Sequence, residues 1–223
     1  MQQIVITGGN GSLAQAISTL FSNKNSGVDA PSRTDLDVTD PSAIRTFFEN
    51  RHVDLLICAA GITRDAILAK TSIEDWDQVI AVNFHGAHLC AQAALPAMIA
   101  RRKGHIIFIS SQSAIHPPAG QSAYATAKAA LLGLTRDLAH THGPHGIRIN
   151  AILPGFMETP MTRSVSPQRR DHILAEHVMA NFNTPEIVAA FIHHLHHQLP
   201  HTSGQIFRLD SRPNQSPESP ESP

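Results

Sequence analysis

Tyr124 and Lys128 are the two residues whose types and spacing most directly suggest chemistry. Tyr124 is the only tyrosine among 223 residues, and it precedes Lys128 by four positions in the stretch "QSAYATAKAA". Side chains four residues apart lie on the same face of a helix. A phenol has an unperturbed pKa of about 10, and a neighbouring ammonium group stabilises its phenolate. The pair could therefore give a proton to an oxygen that gains negative charge, or it could be an ordinary surface pair on a helix.

A glycine-rich turn near the amino terminus could hold a phosphate group. In "VITGGNGSLAQAI", a strand-like run leads through Gly9 and Gly11 to Ala14 with the spacing G-x-G-x-x-G/A. Glycines let the backbone approach a pyrophosphate, and the start of the following helix supplies free N–H groups. Such turns also occur for structural reasons alone, so the position of this one after the first strand is what favours a dinucleotide site.

The residues after the second strand select the dinucleotide. An arginine there takes the extra phosphate of NADP, whereas a carboxylate holds the ribose diol of NAD. The chain has "VDAPSRTDLDVTD" at this point. If the strand ends at Pro31 or Ser32, then Ser32 and Arg33 meet the adenosine ribose and NADP(H) is favoured. If the strand ends earlier, Asp29 could serve NAD, and Arg33 could be a solvated loop residue.

The elements that must position these residues follow from the hydrophobic pattern. Short β-branched runs alternate with amphipathic segments, which is typical of a mostly parallel sheet with helices on both faces. The runs with the clearest strand character are residues 4–7, 54–59, 105–110 and 147–153. The sequence therefore predicts an α/β fold, a single doubly wound Rossmann-type domain. Because "VDA" (28–30) is followed closely by "LDV" (36–38), no helical crossover fits between them, and we expect a shortened second βα unit.

Composition limits the classes of partner. The formal net charge is −1, so no global positive field would hold nucleic acid or an anionic membrane. No apolar run approaches the roughly 20 residues of a membrane span, and the opening "MQQIVITGG" has no secretion-signal pattern. Cys58 and Cys90 show no metal-ligand spacing. These features predict a cytoplasmic protein without nucleic-acid or membrane partners.

Two segments near the carboxyl end have unusual composition. Residues 211–223 are rich in Ser, Pro and Glu and cannot bury enough apolar surface to become ordered. We therefore assign residues 1–210 to the domain and 211–223 to a disordered tail. The histidine-rich stretch "FIHHLHHQLPH" (191–201) contains no carboxylate or cysteine, so we expect a solvated helix face there and no metal site.

Several longer segments together carry a family resemblance. They are "TGGNGSLA", "LDVTD", "CAAGITRDAILAKTSIEDWDQVIAVNFHGAH", "GHIIFISSQSA", "GQSAYATAKAALLGLTRDLA" and "IRINAILPGFMETPMT", which together span most of residues 3–162. The sequence resembles the short-chain dehydrogenase/reductase family, and these segments are similar to its 3-oxoacyl-[acyl-carrier-protein] reductase branch. "CAAG" (58–61) and "DSR" (210–212) depart from the family pattern.

The resemblance implies four catalytic residues. Tyr124 would donate the proton, and Lys128 would support Tyr124 and bond the nicotinamide ribose. Ser111 would orient the substrate carbonyl. Asn83 would hold a water molecule of the proton relay. For the serine, two neighbours in the same stretch are competing candidates: Ser110 and Ser113.

The resemblance also implies contacts to the cofactor. The matching residues are Gly8, Gly9, Asn10, Gly11, Ser12, Leu13, Ser32, Arg33, Asp37, Val38, Ala59, Ala60, Gly61, Tyr124, Lys128, Pro154, Gly155, Met157 and Thr159. Asp37 and Val38 would lie on the adenine side. The segment with Pro154, Gly155 and Thr159 would close over the nicotinamide, unless the Pro-Gly pair is only a turn.

The expected function is the NADPH-dependent reduction of a ketone, most directly a 3-oxoacyl thioester on an acyl carrier protein, with NADH less favoured. The alternatives are a free small keto or hydroxy compound as substrate, and a non-catalytic NADP-binding partner or sensor. The resemblance implies a homotetramer, or a dimer through the helices that carry Asn83 and Tyr124. Arg102 is basic where the resembled reductases are basic on the cleft rim, but His145 stands where they have arginine, so carrier docking stays open.

Overall fold

A six-stranded parallel sheet forms the centre of the computed structural model, which describes residues 2–24 and 26–213. Within these residues the strands are β1 (Gln3–Thr7), β2 (Gly27–Asp29), β3 (Leu55–Cys58), β4 (Gly104–Ile109), β5 (Ile147–Leu153) and β6 (Ile206–Arg208). Their order is β2-β1-β3-β4-β5-β6, and every neighbouring pair is parallel. The direction of winding changes between β1 and β3, where doubly wound folds bind their ligands.

Helices cover both faces of this sheet. In the described part of the chain they are α1 (Ser12–Ser22), α2 (Pro41–Phe48), α3 (Ile73–Ile80), α4 (Gly86–Arg101), α5 (Ser122–His142), α6 (Pro167–Ala175) and α7 (Pro185–Gln198). A π-helical turn, Ala81–His85, joins α3 to α4. These features confirm the predicted doubly wound α/β fold. None of these helices has both the length and the apolar character needed to cross a membrane.

Two apolar layers hold the helices against the sheet. On one face, Phe21 of α1 and Ile192 of α7 pack with Ile57 and Ile107 of the strands. On the other face, the core residues from α2, α4 and α5 include Phe48, Cys90, Met98 and Leu131. Strands β3 and β4 are buried along their whole length. This is why these strands appear in the sequence as nearly continuous apolar runs instead of alternating ones.

The second βα unit is shortened, as the sequence predicts. Strand β2 ends at Asp29, and residues 36–38 are not a strand, although Leu36 and Val38 are buried in the core. Helix α2 then begins at Pro41, where the Asp40 side chain accepts hydrogen bonds from the first-turn N–H groups. The sequence-based preference for NADP(H) assumed that this strand ends at Pro31 or Ser32. Strand β2 ends earlier than that, at Asp29.

The carboxyl end of the domain contains contacts that the sequence pattern does not reveal. Strand β6 is only three residues long and half-buried, so it gives no clear strand signal. Ser211 and Arg212, assigned above to the tail, contact the domain: the Ser211 carbonyl accepts from Val178 N at 3.2 Å, and Arg212 pairs with Asp210 at 2.6 Å. Residues 214–223 of the predicted tail lie outside the described residues.

Candidate active site

The predicted site residues follow the carboxyl ends of four neighbouring strands. Because the strands are parallel, these ends meet at one edge of the sheet. The glycine turn follows β1, the segment 59–61 follows β3, Ser111 follows β4, and Pro154 follows β5. Residues distant in the sequence are thereby brought to a common edge, which we call the carboxyl edge.

The glycine turn after β1 is built to bring backbone close to a ligand. Gly8 has φ +76°, which favours glycine, and a Cβ there would lie 2.8 Å from Ala60 Cα. A Cβ on Gly9 would overlap the carbonyl oxygen of Ala30, while Gly9 N donates to Pro31 O at 2.9 Å. Gly11 is the N-cap residue of α1, and no side chain caps the first N–H groups of this helix. The exposed start of this helix fits a pyrophosphate.

The residues after β2 separate the two possible ribose contacts. Asp29 is already ion-paired with Arg51, whose guanidinium stacks 4.0 Å from the Phe47 ring. Arg33 is 73% exposed, and its Nε lies 3.5 Å from a carboxylate oxygen of Asp37. The strand thus ends where the sequence allowed Asp29 as a ribose ligand, but Asp29 is shared with Arg51, and Arg33 is the more exposed of the two arginines.

Ser32 and Asp37 have local partners in the same loop. The Ser32 hydroxyl and N–H donate to Asp35 at 2.6 and 3.0 Å, which lowers the pKa of Asp35. Hydrogen bonds from Thr39 lower the pKa of Asp37, since its carboxylate accepts both the Thr39 hydroxyl and N–H. These bonds fix the loop that carries Arg33.

Thr7 joins the ends of β1 and β3. Its buried hydroxyl oxygen accepts from the N–H groups of Ala59 and Ala60 at 3.1 and 3.2 Å. The preceding Cys58 is buried, and its thiol lies 3.7 Å from the carbonyl of Ala87. In this sequence, which has "CAAG" at 58–61, backbone groups and Thr7 thus provide the inter-strand anchor.

Asn83 lies in the π-helical turn, where its side chain competes with the helix backbone. Its amide N–H₂ donates to Val79 O at 2.9 Å and to Ile62 O at 2.8 Å. Its amide oxygen is buried without a partner among the described residues. A Cβ on Gly61 would lie 2.8 Å from that oxygen and 3.5 Å from Lys128 Nζ. Asn83 and Lys128 therefore meet beside Gly61, with an open acceptor between them.

Lys128 and Tyr124 lie together on the buried side of α5. Lys128 is 4% exposed, and its Nζ donates to Ile109 O at 2.9 Å. The same Nζ lies 5.6 Å from the centre of the Tyr124 ring. Ser110 donates to the backbone carbonyl of Lys128 at 2.8 Å, so this competing serine anchors the helix. Ser111 hydrogen-bonds the Tyr124 side chain.

The segment after β5 is held by one asparagine. Asn183 donates to the carbonyls of Pro154 and Leu209 at 2.9 and 2.6 Å, and it pairs with Met157 in an isolated bridge. Thr159 then starts a short 3₁₀ turn, and its N–H donates to Thr162 Oγ1 at 3.0 Å. This segment lies at the carboxyl edge, as expected for a wall of the cleft.

The sequence profile described as short chain dehydrogenase matches residues 4–170. The chain belongs to the short-chain dehydrogenase family. Members of this family are oxidoreductases that interconvert an alcohol and a carbonyl group, and this chain is one of them. The match covers the glycine turn and the segments that carry Asn83, Ser111, Tyr124 and Lys128.

Named relatives and a solved structure agree with this membership. The chain is 38% identical over 181 residues to a 3-oxoacyl-[acyl-carrier-protein] reductase of Thermotoga maritima, covering 78% of this chain and 74% of the relative. It is 40% identical over 160 residues to a (3R)-3-hydroxyacyl-CoA dehydrogenase of Canis lupus familiaris, covering 69% and 62%. A structure from Beutenbergia cavernae, assigned as an NAD(P)-dependent gluconate 5-dehydrogenase with bound NADP at low occupancy, superposes with a TM-score of 0.86 at 24% identity, covering 94% and 95%.

The electrostatics of this short-chain dehydrogenase differ in one respect from the expected pair. Burial lowers the pKa of Lys128 to about 8. The pKa of Tyr124 is raised, mainly by burial and further by the charge of Asp65, while its hydrogen bond with Ser111 acts in the opposite direction. The net shift of the Tyr124 pKa in the protein alone is therefore upward, opposite to the expectation, because desolvation is its largest cause.

Two residues expected at the cleft rim lie elsewhere in this short-chain dehydrogenase. Arg102 precedes β4 and His145 precedes β5, so both lie at the amino ends of the strands. Arg102 Nη2 donates to Pro144 O at 2.7 Å, which joins the two turns. Within one chain, the expectation that they border the cleft is wrong, because parallel strands put their two ends at opposite edges of the sheet.

The histidines of the dehydrogenase's last helix have packing roles. His193, His196 and His197 surround the Phe21 ring at centroid distances of 5.1, 6.5 and 6.0 Å. In residues 2–24 and 26–213, no group of three or more His, Cys, Asp or Glu side chains could hold a metal ion.

Asp65 and Gln121 are two polar residues near the site that the sequence analysis missed. Their hydrogen bond joins residues 56 positions apart, so no local sequence pattern indicates it.

Proposed function

We propose that this short-chain dehydrogenase uses NADPH to reduce a ketone to a hydroxyl, with a 3-oxoacyl thioester on an acyl carrier protein as substrate. One observation carries the proposal: four polar residues form a connected group at the carboxyl edge. Asn83 and Lys128 meet beside Gly61, Lys128 lies against the Tyr124 ring, and Ser111 hydrogen-bonds Tyr124. A protein that only bound a dinucleotide would not need the phenol and the amine together. The similarity to 3-oxoacyl-[acyl-carrier-protein] reductases supports the substrate.

NADPH is the cofactor that the loop after β2 favours. Asp29 is neutralised by Arg51, whereas Arg33 is largely exposed and can pair with a 2′-phosphate. The start of α1 and the N–H groups of the glycine turn would hold the pyrophosphate. Thr159 and Met157 would border the nicotinamide end. The structural neighbour with bound NADP has the same fold.

The catalytic step follows from the groups at the carboxyl edge. The bound nicotinamide supplies a hydride. The Ser111 hydroxyl would orient the carbonyl, and Tyr124 would give its phenolic proton to the oxygen as negative charge develops there. Lys128 would bond the ribose and return a proton through its ammonium group. The open amide oxygen of Asn83 would hold the water that reconnects Lys128 to solvent.

Exposed apolar side chains support an acyl substrate. They lie on segments that follow three strand ends: Ile67 and Leu68 after β3, Ile115 after β4, and Met161 after β5, at 54, 63, 37 and 48% exposure. Single exposed apolar residues are ordinary, but a group of them around a polar site suggests a ligand with an apolar chain.

The second candidate substrate is a free small keto or hydroxy compound. It is favoured by the position of Arg102 and His145, which lie at the opposite edge from Tyr124 in the same chain. A carrier protein would need basic residues near the cleft, either from this chain or from another copy. We propose a homotetramer, or a dimer through α4 and α5, in which another copy could supply them.

A substrate panel tests these proposals. NADPH and NADH oxidation would be measured with a 3-oxoacyl carrier-protein thioester, the matching CoA thioester and simple ketones. We expect the highest kcat/KM for the carrier thioester with NADPH; equal values for all substrates would remove the carrier from the proposal. Light scattering during gel filtration would measure the oligomeric state. The cytoplasmic location stays a prediction, which cell fractionation would test.

A further inference from the structure

A chain of side-chain hydrogen bonds leads from Ser111 to the exposed carboxylate of Asp65. Ser111 Oγ lies 3.3 Å from Ser113 Oγ, and the Ser113 hydroxyl donates to Gln121 Oε1 at 2.9 Å. The Gln121 amide N–H₂ then donates to Asp65 Oδ2 at 2.8 Å. Four residues from two connections, β3 to α3 and β4 to α5, thus form one continuous chain that ends on a carboxylate.

Backbone contacts hold the members of this chain in register. Ala66 N donates to Gly120 O at 2.9 Å, which ties the loop after β3 to the turn before α5. Gln121 directly precedes the first residue of α5, and its carbonyl accepts from Ala125 N at 2.7 Å. Ser113 N donates to Ser111 Oγ at 3.2 Å. The side chains therefore meet because the loops that carry them are fixed.

The carboxylate determines the direction of every bond in the chain. An ionised carboxylate only accepts hydrogen bonds, whereas an amide has one donating and one accepting end. Gln121 must therefore turn its N–H₂ group to Asp65 and its oxygen to Ser113. Ser113 must then donate to Gln121, which leaves the Ser113 oxygen to accept the hydroxyl proton of Ser111.

We propose that Asp65 is a positioning residue that, through Gln121 and Ser113, fixes the direction in which the Ser111 hydroxyl points. This inference rests on the proposed function, in which Ser111 and Tyr124 act on the same carbonyl. With its proton committed to Ser113, the Ser111 oxygen accepts from the Tyr124 hydroxyl. Ser111 lowers the pKa of Tyr124 by donating to the phenolate, and for this its proton must turn away from Ser113. The network opposes that turn and so holds the phenol in place until a substrate carbonyl competes for the Ser111 proton.

Two charged groups approach or act on Tyr124 from different elements. Lys128 approaches the ring from the same helix, with its Nζ 5.6 Å from the ring centre. Asp65 acts from the loop after β3, and its charge raises the pKa of Tyr124. Arg64, the neighbour of Asp65, is directed to Asp75 at 3.5 Å. Removal of the Asp65 charge therefore favours the phenolate both directly and by releasing the Ser111 proton.

The single tyrosine makes this inference measurable without turnover. Ultraviolet absorbance of tyrosinate reports Tyr124 alone, since no other tyrosine is present. For Asp65→Asn we expect the titration midpoint to fall by about half a pH unit or more, as a hydrogen bond of ordinary strength would cause. The matched control is Asp137→Asn, which removes an exposed carboxylate of α5, the helix that carries Tyr124. This variant should leave the midpoint unchanged.

A second variant separates the chain from the charge. Gln121→Met interrupts the connection and keeps Asp65 ionised, so a lower midpoint in this variant would come from the released Ser111 hydroxyl. Asp65→Glu, which restores the acceptor, should recover most of the wild-type midpoint. A purely structural role would lower the melting temperature without moving the tyrosine midpoint.

The outcomes distinguish this inference from the proposed function. If Asp65→Asn and Gln121→Met both titrate like the wild type, the positioning role is wrong even if ketone reduction is intact. If the midpoints shift but no keto substrate is reduced, the proposed function fails and the network remains. In an active enzyme, Asp65→Asn should lower kcat more than it raises KM, and its pH–rate profile should shift with the tyrosine midpoint.

Discussion

At the scale of single residues, the site depends on a phenol, an amine and an amide that share one small space. Asn83 and Lys128 meet at Gly61, where a side chain would separate them. Lys128 is buried with a lowered pKa, so its proton is easily released. These groups suit a proton route that ends at Tyr124, and each can be tested by one substitution.

Tyr124→Phe tests the proposed proton donor. The change removes one oxygen atom and keeps the ring, so we expect kcat to fall by about 10²–10⁴-fold, the usual contribution of general acid catalysis. NADPH binding, measured by fluorescence titration, should remain close to that of the wild type because Lys128 is untouched. Wild-type turnover in this variant would mean that another group donates the proton.

Lys128→Met tests the cost of the buried amine. The pKa of Lys128 is lowered from 10.5 to about 8 in the folded protein. Between these pH values the folded state therefore binds fewer protons than the unfolded state. As a result, the free energy of unfolding rises with pH across this window. Below pH 8 the buried charge costs roughly 3 kcal/mol.

We therefore expect Lys128→Met to be inactive and yet more stable than the wild type at pH 7, by up to about 3 kcal/mol. Its advantage should shrink between pH 8 and 10.5. Urea unfolding of both proteins at several pH values measures the difference between their free energies of unfolding. The titration of the other groups cancels in this difference. A variant less stable than the wild type at pH 7 would contradict this account.

Part of the site could be predicted from residue types alone. The Tyr124–Lys128 spacing predicts a shared helix face, and the structure has both side chains on the buried side of α5. The raised pKa of Tyr124 could not be predicted, because it depends on desolvation and on Asp65 from another loop. The sequence also could not indicate that Asp29, a possible ribose ligand, pairs with Arg51.

At the scale of elements, the residues that follow β2 pack closely against the glycine turn, where we propose that a phosphate group binds. Gly9 lies against the Ala30 carbonyl and hydrogen-bonds Pro31. The strand ends at Asp29, but this contact keeps the following residues beside the turn. The sequence predicts the turn from its glycine spacing, whereas the packing partner comes from a segment about 20 residues later and leaves no local signal.

Gly9→Ala tests this contact. A methyl group at position 9 has no space beside the Ala30 carbonyl, so the turn or β2 must move. We expect a loss of about 1–3 kcal/mol in the free energy of unfolding and at least tenfold weaker NADPH binding, measured by urea unfolding and fluorescence titration.

Gly133→Ala is the matched control for Gly9→Ala. Gly133 lies within α5, and a Cβ there meets nothing within 4 Å. Alanine is the better helix former by about 1 kcal/mol, so this variant should be slightly more stable and should bind NADPH normally. If both variants behave alike, the close approach at Gly9 is not important.

The boundaries of the well-buried strands β3, β4 and β5 could be predicted to within one residue. Strand β5 has the predicted limits, 147–153, because all but one of its residues are buried and β-branched or apolar side chains dominate it. Strand β6 escaped prediction, since three half-buried residues do not produce a recognisable pattern. The pattern of a strand in the sequence therefore depends on how completely its neighbours cover it.

At the scale of the whole molecule, the sheet separates two polar clusters. The edge opposite the carboxyl edge holds His105, whose Nδ1 lies 3.0 Å from His196 Nδ1, and Asn150, whose Nδ2 lies 3.1 Å from His105 Nε2. Burial lowers the pKa of His105 well below its usual value and that of His196 to about 3. Arg148 and His197 add repulsion that acts in the same direction.

This cluster predicts sensitivity to acid. The pKa of His196 is about 3 in the folded state and 6.5 otherwise, so the unfolded chain binds more protons between these values. Stability is then complete above pH 6.5 and is lost as the pH falls, by about 1.4 kcal/mol per unit for each buried histidine. Urea unfolding at pH 7, 6 and 5 measures this slope.

Two variants assign that slope to the cluster. His196→Gln should flatten it by about half if the two histidines contribute equally, whereas His194→Gln, a change on the exposed side of the same helix, should keep it. A wild-type slope in His196→Gln would mean that the acid sensitivity comes from other groups.

Strand β4 extends from the histidine cluster to the carboxyl edge. His105 lies near its start and Ser111 follows its end, so the rigid strand separates them by about 20 Å. At an effective dielectric constant of about 20, two charges about 20 Å apart interact by less than about 1 kcal/mol. The tolerance of this molecule to acidity and its catalytic rate can consequently be engineered as independent properties.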